Sequence, residues 1–225
     1  MLLNLHTISK AYGNQDEPTY QVVLKDLSLS VEEGESIAIL GPSGSGKSTL
    51  LNIIGTLDYP DAGSLEFRGR DISGLRGSDL DHFRNKEIGF VFQFHHLLPQ
   101  CNVLENVLIP TLLATKDRKS SEEYAGHLLE KVGLWEHRHK KPGQLSGGEC
   151  QRVAVVRAMI NHPSLILADE PTGALDGKNV SAIASLLHQL KSDEKLTLIT
   201  VTHSSFLASA MGTIYEIEEG KLSRR

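Results

Sequence analysis

The nine residues Gly41-Pro42-Ser43-Gly44-Ser45-Gly46-Lys47-Ser48-Thr49 decide the fold of this chain. They match the pattern GxxxxGK[ST] and lie between a short apolar run, Ser36–Leu40, and a stretch typical of a helix, STLLNIIGTL. Glycines let such a loop wrap with its N–H groups pointing inward, and the start of the following helix adds partial positive charge. The pattern predicts a phosphate-binding loop in which Lys47 reaches the β- and γ-phosphates of a nucleotide and Ser48 ligates Mg²⁺.

This loop alone does not select one class of protein, because kinases, GTPases and helicases share it. A second signal is the pair Asp169-Glu170, which ends the apolar run LILAD. At such a strand end Asp169 can hold Mg²⁺ through water, and Glu170 can polarise an attacking water as a general base. In an extended chain the two carboxylates face opposite ways. The alternative is a solvated strand end with two incidental acids.

Composition restricts the function classes. The chain has 225 residues, 40% hydrophobic and 23% charged, with a formal net charge of −5. No basic field attracts nucleic acid, and no apolar run reaches the roughly 18 residues needed to span a bilayer. The two cysteines, Cys101 and Cys150, form no CxxC motif and are interpreted as free thiols. Any action at a membrane therefore requires a separate membrane-spanning partner.

The chain alternates between strand and helix patterns. The first forty residues alternate apolar and polar, which predicts antiparallel strands. Short apolar runs predict buried parallel strands, here at Ser36–Leu40, Ile88–Gln93, Leu165–Asp169 and Thr197–Thr202. The stretch from Gln93 to about Pro163 is richer in helical patterns, such as the segment starting at Ser121, and Thr213–Leu222 suggests a hairpin with its turn at Glu218–Gly220. These patterns predict an α/β core with a mostly helical insertion.

The string Leu145-Ser146-Gly147-Gly148-Glu149 adds a helix start, because Ser146 followed three residues later by Glu149 fits a capping box. With the phosphate loop and the Asp169-Glu170 pair, this string resembles the nucleotide-binding domain of ABC transporters over essentially the whole chain. The resemblance implies a single domain, 1–225, with a P-loop NTPase (RecA-like) core at about 1–92 and 152–225. It also implies an antiparallel β subdomain and a helical subdomain at about 93–151.

The family resemblance assigns further roles. It implies that Ser146, Gly147 and Gly148 bind the γ-phosphate of ATP held by a second copy of the chain, so that two chains sandwich two ATP molecules. It implies that Tyr12 stacks on adenine, and a half-buried strand tyrosine is the alternative. Gln93 would contact Mg²⁺ and the attacking water, and His203 the γ-phosphate. Asp176, in Ala174-Leu175-Asp176, would belong to a loop that crosses the dimer interface.

Two positions depart from the family pattern. Cys150 stands where the family usually has Gln or Arg, in the first turn of the helix that follows Ser146, where it can tune the interface or make it thiol-sensitive. Ser204 stands where an acidic residue is usual, beside His203. Neither change removes a phosphate or magnesium contact, so we expect hydrolysis to survive.

Three longer strings, LNIIGTLDYPDAGSLEFRGRDI, FQFHHLLPQCNVLENVLIP and LADEPTGALD, resemble the lipoprotein-release and macrolide-export subfamily. The resemblance implies a peripheral ATPase on the cytoplasmic face of a bacterial inner membrane. The permease would dock in a groove near Gln93–Val107. Six apolar residues are candidates to line that groove, with ordinary core as the alternative for each: Phe94, Leu97, Leu98, Val103, Leu104 and Val107.

Other readings remain at this stage. A cell-division ATPase module uses the same motifs, as does a macrolide or peptide exporter subunit. A soluble ATPase of DNA repair or translation is disfavoured by the acidic balance and the single short domain. The histidines His95 and His96 and the basic run His137–Lys141 are interpreted as solvated surface, because they lack a matching set of metal ligands.

Overall fold

The computed structural model describes residues 1–14, 16, 18–113, 117–175, 177–194 and 196–225. Within these residues the strands are β1 (Leu3–Tyr12), β2 (Gln21–Val31), β3 (Ser36–Leu40), β4 (Ala62–Phe67), β5 (Arg70–Asp71), β6 (Ile88–Val91), β7 (Leu165–Asp169), β8 (Thr197–Val201), β9 (Thr213–Glu218) and β10 (Lys221–Arg224). The helices are α1 (Lys47–Ile54), α2 (Gly77–Glu87), α3 (Val103–Leu108), α4 (Arg118–Lys131), α5 (Gly147–Met159), α6 (Gly177–Glu194) and α7 (Ser205–Ser209). Short 3₁₀ helices lie at Ile109–Leu113, Trp135–His137 and Pro142–Gln144.

The strands form two sheets. A four-stranded sheet has the order β2-β1-β4-β5, and its pairs are antiparallel. A six-stranded sheet has the order β10-β9-β3-β8-β7-β6, and only the β9–β10 hairpin in it is antiparallel. Parallel strands β3, β6, β7 and β8 therefore all end at the same edge of the larger sheet, and the segments that follow them meet there.

Both faces of the larger sheet are buried, as the apolar runs predicted. Along β3, Ile37 and Ile39 pack into a core shared with α1 and the antiparallel sheet. Ala38, between them, faces a second core that contains α3, α4 and α5. Successive strand residues point to opposite faces, so one short strand connects both cores. Helices α3, α4 and α5 thus pack on one face of this sheet. Helix α1, which follows the phosphate loop, packs on the other face.

Most predicted elements are confirmed, with shifts at their ends. β3 and β7 have the predicted bounds, whereas β6 ends two residues before Gln93 and β8 ends one residue before Thr202. Helix α4 starts at Arg118, three residues before Ser121, because Asp117 caps it by accepting from the Ser120 N–H. The sequence patterns did not predict α2, whose only buried residue is Leu80.

Candidate functional site

The shared edge of the parallel strands forms a cavity of about 550 Å³. Segments that follow β3, β6, β7 and β8 all contribute to its walls. The lining residues are Gln21, Val23, Gly41, Ser43, Gly44, Gly46, Lys47, Ser48, Thr49, Gln93, Asp169, Glu170 and His203. The structure therefore brings together most of the residues that the sequence predicted for nucleotide and metal binding.

The phosphate loop depends on glycine at two positions. Gly46, at the N-cap of α1, has φ 102°, and a Cβ there would lie 2.9 Å from Leu24 Cδ2. Gly41 has φ 156°, and a Cβ there would lie 2.4 Å from the Ile217 carbonyl oxygen. A side chain at either position would displace β2 or β9 from the loop. The predicted reason for glycine, a tightly wrapped backbone, thus holds for both residues.

Polar side chains of the phosphate loop point toward the inside of the loop. The Lys47 ammonium, on a side chain that is largely buried, donates to the carbonyl oxygens of Gly41 at 2.9 Å and Pro42 at 2.8 Å. Among the described residues, the buried Ser45 hydroxyl has no hydrogen-bond partner. Buried hydroxyls normally have partners, so an available donor and a confined ammonium suit an anionic ligand such as a phosphate chain.

The Ser48 hydroxyl donates to Asp169 Oδ1 at 3.2 Å, which joins α1 to the end of β7. Burial raises the pKa of Asp169, the Ser48 hydrogen bond lowers it, the Glu170 charge raises it and the Lys47 charge lowers it. The net pKa is raised, so the ionised carboxylate is short of compensating positive charge. Hydroxyl and carboxylate oxygens are the ligands that Mg²⁺ prefers, and these two fit such an ion.

The opposite orientation of Asp169 and Glu170 was expected only for an extended chain, and the chain is not extended at Glu170. Glu170 has φ 45°, a left-handed conformation that is uncommon for a residue with a side chain, and the chain turns there instead of staying extended. The Glu170 N–H donates to the Val201 carbonyl of β8 at 2.9 Å, which holds the turn. As a result both carboxylates line the same cavity.

Three groups orient the Glu170 carboxylate. Oε2 accepts from the Thr202 hydroxyl at 3.1 Å and from the His203 N–H at 3.2 Å. Oε1 lies 3.0 Å from His203 Nδ1. The His203 side chain is 71% exposed, so its ring faces the open part of the cavity. A carboxylate fixed in this way can accept a proton from a water held in the cavity.

Gln93 lies against the segment that follows the acidic pair. The approach is close, since a Cβ added to Gly173 would lie 3.0 Å from Gln93 Nε2. Two residues of α5 hold the chain on either side of it. Gln151, which is buried, donates to the Phe92 carbonyl at 2.8 Å. The Arg157 guanidinium donates to the carbonyls of His95 and His96, both at 2.8 Å. Sequence patterns did not predict Gln151 or Arg157, because their partners are about sixty residues away.

The capping box at the start of α5 is confirmed. Ser146 Oγ accepts from the Glu149 N–H at 3.3 Å, and Glu149 Oε2 accepts from the Ser146 N–H at 2.7 Å. Hydrogen bonds from the Ser146 N–H and hydroxyl lower the pKa of Glu149. Ser146, Gly147 and Gly148 do not line the cavity of the same chain. Asp176, predicted beside them at an interface, lies outside the described residues.

Tyr12 lies beside the cavity without lining it. Across the antiparallel pair it is opposite Gln21, which does line the cavity. Directly opposite residues share a face of the sheet. The Tyr12 side chain is 44% exposed, and its hydroxyl donates to Asp58 Oδ2 at 2.7 Å. The ring is therefore anchored at its hydroxyl with much of its surface open.

The predicted groove residues divide into two sets. Leu97, Val103 and Val107 are buried, and Leu104 packs against the same helical core, so these four fit the alternative of ordinary core. Their apolar spacing serves the packing of α3 on α5. Phe94 and Leu98 are exposed, at 65% and 40%. A cavity of about 330 Å³ includes Phe90, Phe92, Pro110, Leu113 and Arg157 in its lining.

The two departures from the family pattern have local structural explanations. Cys150 is 3% exposed, and its Sγ contacts the Pro142 carbonyl at 3.5 Å, so it belongs to the helical core and not to an accessible interface. Ser204 caps α7, where its Oγ accepts from the Leu207 N–H at 3.3 Å. An acidic residue would serve the same cap, which explains why serine is tolerated there.

Among the described residues, no helix is both long and apolar enough to cross a membrane.

Comparison with known proteins gives a consistent result. The sequence profile described as ABC transporter matches residues 24–173. The chain is 49% identical to the lipoprotein-releasing system ATP-binding protein LolD of Bdellovibrio bacteriovorus, over 88% of this chain and 90% of that protein. It is 48% identical to LolD of Geobacter metallireducens, over 98% of this chain and 97% of that protein.

Solved structures agree with these sequence relatives. The dimeric post-hydrolysis structure of the ATP-binding cassette MJ0796 bound to ADP and Pi superimposes with a TM-score of 0.89 at 37% identity, covering 99% of this chain and 97% of that one. A second dimeric structure of that cassette has the same TM-score and coverage at 38% identity. The predicted fold class is confirmed.

Proposed function

This chain belongs to the ABC transporter family, and we propose that its ATPase activity energises the release of lipoproteins from a bacterial inner membrane through a separate permease. Support for the cargo comes from the relatives named LolD, which align with nearly the whole chain. Support for the chemistry comes from one observation. Lys47, the Ser48–Asp169 pair and Glu170 meet at a single cavity large enough for a nucleotide.

The proposed binding roles follow from the donors and acceptors present. Residues 41–49 hold the triphosphate through their N–H groups, and Lys47 exchanges its bonds to two loop carbonyls for bonds to phosphate oxygens. Ser48, Asp169 and Gln93 would hold Mg²⁺. When bound, this ion would neutralise charge on the phosphate oxygens.

In the proposed chemical step Glu170 accepts a proton from the water that attacks the γ-phosphate. Thr202 and the His203 N–H hold one oxygen of the carboxylate, which leaves its orientation little freedom. The exposed His203 ring is placed to contact the γ-phosphate. Fixing the base at the end of β7 and the phosphate chain at the end of β3, in the same sheet, reduces the entropy lost at the transition state.

A second copy of the chain is part of this proposal. The start of α5 presents N–H groups suited to an anion, yet it lies away from the cavity of its own chain. Ser146, Gly147 and Gly148 of one copy would then bind the γ-phosphate held by the other, with the loop containing Asp176 crossing between them. The solved dimeric cassettes support this arrangement.

A complementation experiment tests the shared site. One chain carries Lys47→Ala, which disables its cradle, and a second carries Ser146→Arg, which blocks its α5 start. Both also carry Glu170→Gln to prevent turnover. Each variant alone should fail to form a nucleotide-dependent dimer. Their mixture should form a dimer with about one bound ATP, because one intact cradle then faces one intact helix start. A mixture that behaves like the separate variants would contradict the shared site.

We also propose how the chain reaches the membrane. A permease helix docks at the surface that includes the 330 Å³ cavity and the exposed residues Phe94, Leu112 and Leu113. The helical segment at about 93–151 would transmit nucleotide state to that surface. Gln151 binds the Phe92 carbonyl just before Gln93, and Arg157 binds the carbonyls of His95 and His96 just after it. The chain would act as a peripheral subunit on the cytoplasmic face.

Purification of the intact membrane complex tests the cargo. We expect the tagged chain to co-purify with a permease, and the reconstituted complex to release an acylated lipoprotein from liposomes only with hydrolysable ATP. Release without ATP, or a partner set that lacks any lipoprotein-handling protein, would reject the proposed cargo while leaving the ATPase assignment in place.

A further inference from the structure

The Tyr12 ring is held by a charged group and not by packing alone. Its hydroxyl donates to Asp58 Oδ2 at 2.7 Å. Asp58 Oδ1 accepts from the Tyr59 N–H at 2.7 Å and from the Lys10 ammonium at 3.1 Å. Hydrogen bonds to an ionised acceptor are stronger than neutral ones, so this contact fixes the ring more firmly than a neutral partner would.

Lys10 is the counter-charge of this arrangement. Its side chain is only 11% exposed, and its ammonium also donates to the Tyr59 carbonyl at 2.7 Å and to Asp61 Oδ1 at 3.4 Å. The ammonium lies over the Tyr12 ring, 5.2 Å from its centre. Burial acts to raise the pKa of Asp58, but the hydrogen bonds from Tyr12, Tyr59 and Lys10 outweigh it and leave that pKa lowered. Asp58 is therefore ionised at neutral pH.

The same aspartate is tied to the helix that carries the phosphate loop. The backbone N–H of Asp58 donates to the Asn52 carbonyl in the last turn of α1 at 3.2 Å. Burial and the Asp58 hydrogen bond raise the pKa of Tyr12, while Thr49, at the other end of α1, acts to lower it. The ring and the phosphate loop are thus positioned by one helix.

We propose that Asp58 is the positioning residue for nucleotide-base recognition: it holds the Tyr12 ring, through the Tyr12 hydroxyl, at a fixed place relative to the phosphate loop. Lys10 keeps Asp58 in place and occupies the neighbourhood of one ring face, which leaves the other face for the base. This inference rests on the proposed role of Tyr12 in stacking on adenine. It predicts that part of the affinity for ATP is set by an aspartate that never touches the nucleotide.

Steady-state kinetics on the full chain provide the test. Loss of ring orientation removes only part of the stacking on the base, so the KM for MgATP should rise by about 3–10-fold in both Asp58→Asn and Tyr12→Phe. kcat should stay within about twofold, because the phosphate site is unchanged. The double variant should be no worse than either single variant. Magnesium tripolyphosphate, which has no base, should inhibit all variants equally. Asp71→Asn, in the same antiparallel sheet, is the matched control.

Other outcomes overturn the inference. If Asp58→Asn raises KM equally in the wild-type and Tyr12→Phe backgrounds, or weakens tripolyphosphate as much as ATP, then Asp58 acts through the fold and not through the ring. If Tyr12→Ala raises KM but Asp58→Asn and Tyr12→Phe do not, only the positioning role fails and the stacking role survives. If Tyr12→Ala itself leaves KM unchanged, the stacking role proposed above fails, and the positioning role fails with it.

Discussion

Glu170 Oε1 lies 3.0 Å from His203 Nδ1, and Glu170 Oε2 accepts the backbone N–H of the same histidine. The two residues follow the adjacent parallel strands β7 and β8, so sheet register brings them close together. The left-handed backbone at Glu170 turns its carboxylate toward this contact. A strained conformation held by β8 is consistent with a functional side chain, since such strain persists only where the surroundings over-determine it.

Removal of the base should separate binding from turnover. In Glu170→Gln the amide keeps the shape of the side chain but cannot accept a proton, and we expect kcat to fall by about 10²–10⁴-fold. ATP binding should persist, and size-exclusion chromatography with MgATP should show an accumulated dimer. Glu66→Gln, at a half-buried acid on β4, should leave kcat unchanged. Full turnover in Glu170→Gln would refute the role of Glu170 as base.

The ionised Asp169 carboxylate should destabilise the fold near neutral pH. Its folded-state pKa is raised, so its contribution to the stability of the fold is present below the ordinary pKa and is lost as pH rises through the raised value. Without nucleotide, Asp169→Asn should therefore unfold at a higher temperature than wild type near neutral pH, and the gain should shrink toward pH 4. Addition of MgATP should raise the unfolding temperature of wild type more than that of Asp169→Asn.

Asp71 is a control for that measurement, because its pKa is shifted in the opposite direction to that of Asp169. The Ser73 N–H donates to it at 2.8 Å and lowers its pKa. Its stabilising contribution is present above the ordinary pKa and is lost as pH falls through the lowered value. Asp71→Asn should therefore lose stability near neutral pH relative to wild type. Equal pH trends for the two variants would contradict the assignment of the Asp169 shift to burial.

Arg157 should not tolerate replacement by lysine. Its planar head group donates to the carbonyls of His95 and His96 at once, and a single ammonium cannot reproduce this fork. Burial lowers the pKa of Arg157, so the charge depends on these carbonyls for compensation. We expect Arg157→Lys to lower the free energy of unfolding by about 1–2 kcal/mol. We also expect it to lower kcat by displacing Gln93.

Arg118→Lys is the matched control for Arg157, because Arg118 is 90% exposed and pairs with Glu122 at i+4. Both measurements, urea unfolding and ATPase rate, should be near wild type for that control. An Arg157→Lys variant that unfolds and hydrolyses like wild type would show that the two carbonyls do not need the guanidinium.

How well the sequence predicts an interaction depends on how far apart in the chain its two partners lie. The phosphate loop, β3, β7 and the Ser146–Glu149 cap were predictable because their patterns are local. Thr202 and Asp58 were not, since each acts on a residue more than thirty positions away through sheet register or the end of a helix. For Val103 and Val107 the sequence left groove lining and ordinary core both open, because apolar spacing marks a buried helix face without saying what covers it.

Cys150 should resist thiol reagents in the folded protein. It is 3% exposed, and burial and the Glu149 charge raise its pKa, which lowers the fraction of reactive thiolate. Treatment with N-ethylmaleimide at pH 7, followed by mass spectrometry, should label the partly exposed Cys101 first and leave Cys150 unmodified until urea is added. ATPase activity should survive the native treatment. Rapid labelling of Cys150 in the native state would indicate that the start of α5 opens.

The two adjacent glycines of α5 should respond differently to alanine. A Cβ on Gly148 would lie 2.3 Å from Asn179 Oδ1, so Gly148→Ala must push the first turn of α6 away. Among the described residues, a Cβ on Gly147 would meet only Leu175 Cδ2, at 3.9 Å, which is ordinary contact. Thermal unfolding should therefore show a loss of about 1–3 kcal/mol for Gly148→Ala and no loss for Gly147→Ala, since alanine also favours the helix. Equal losses in both variants would mean that Asn179 yields and that Gly148 is not required for the packing of α6 on α5.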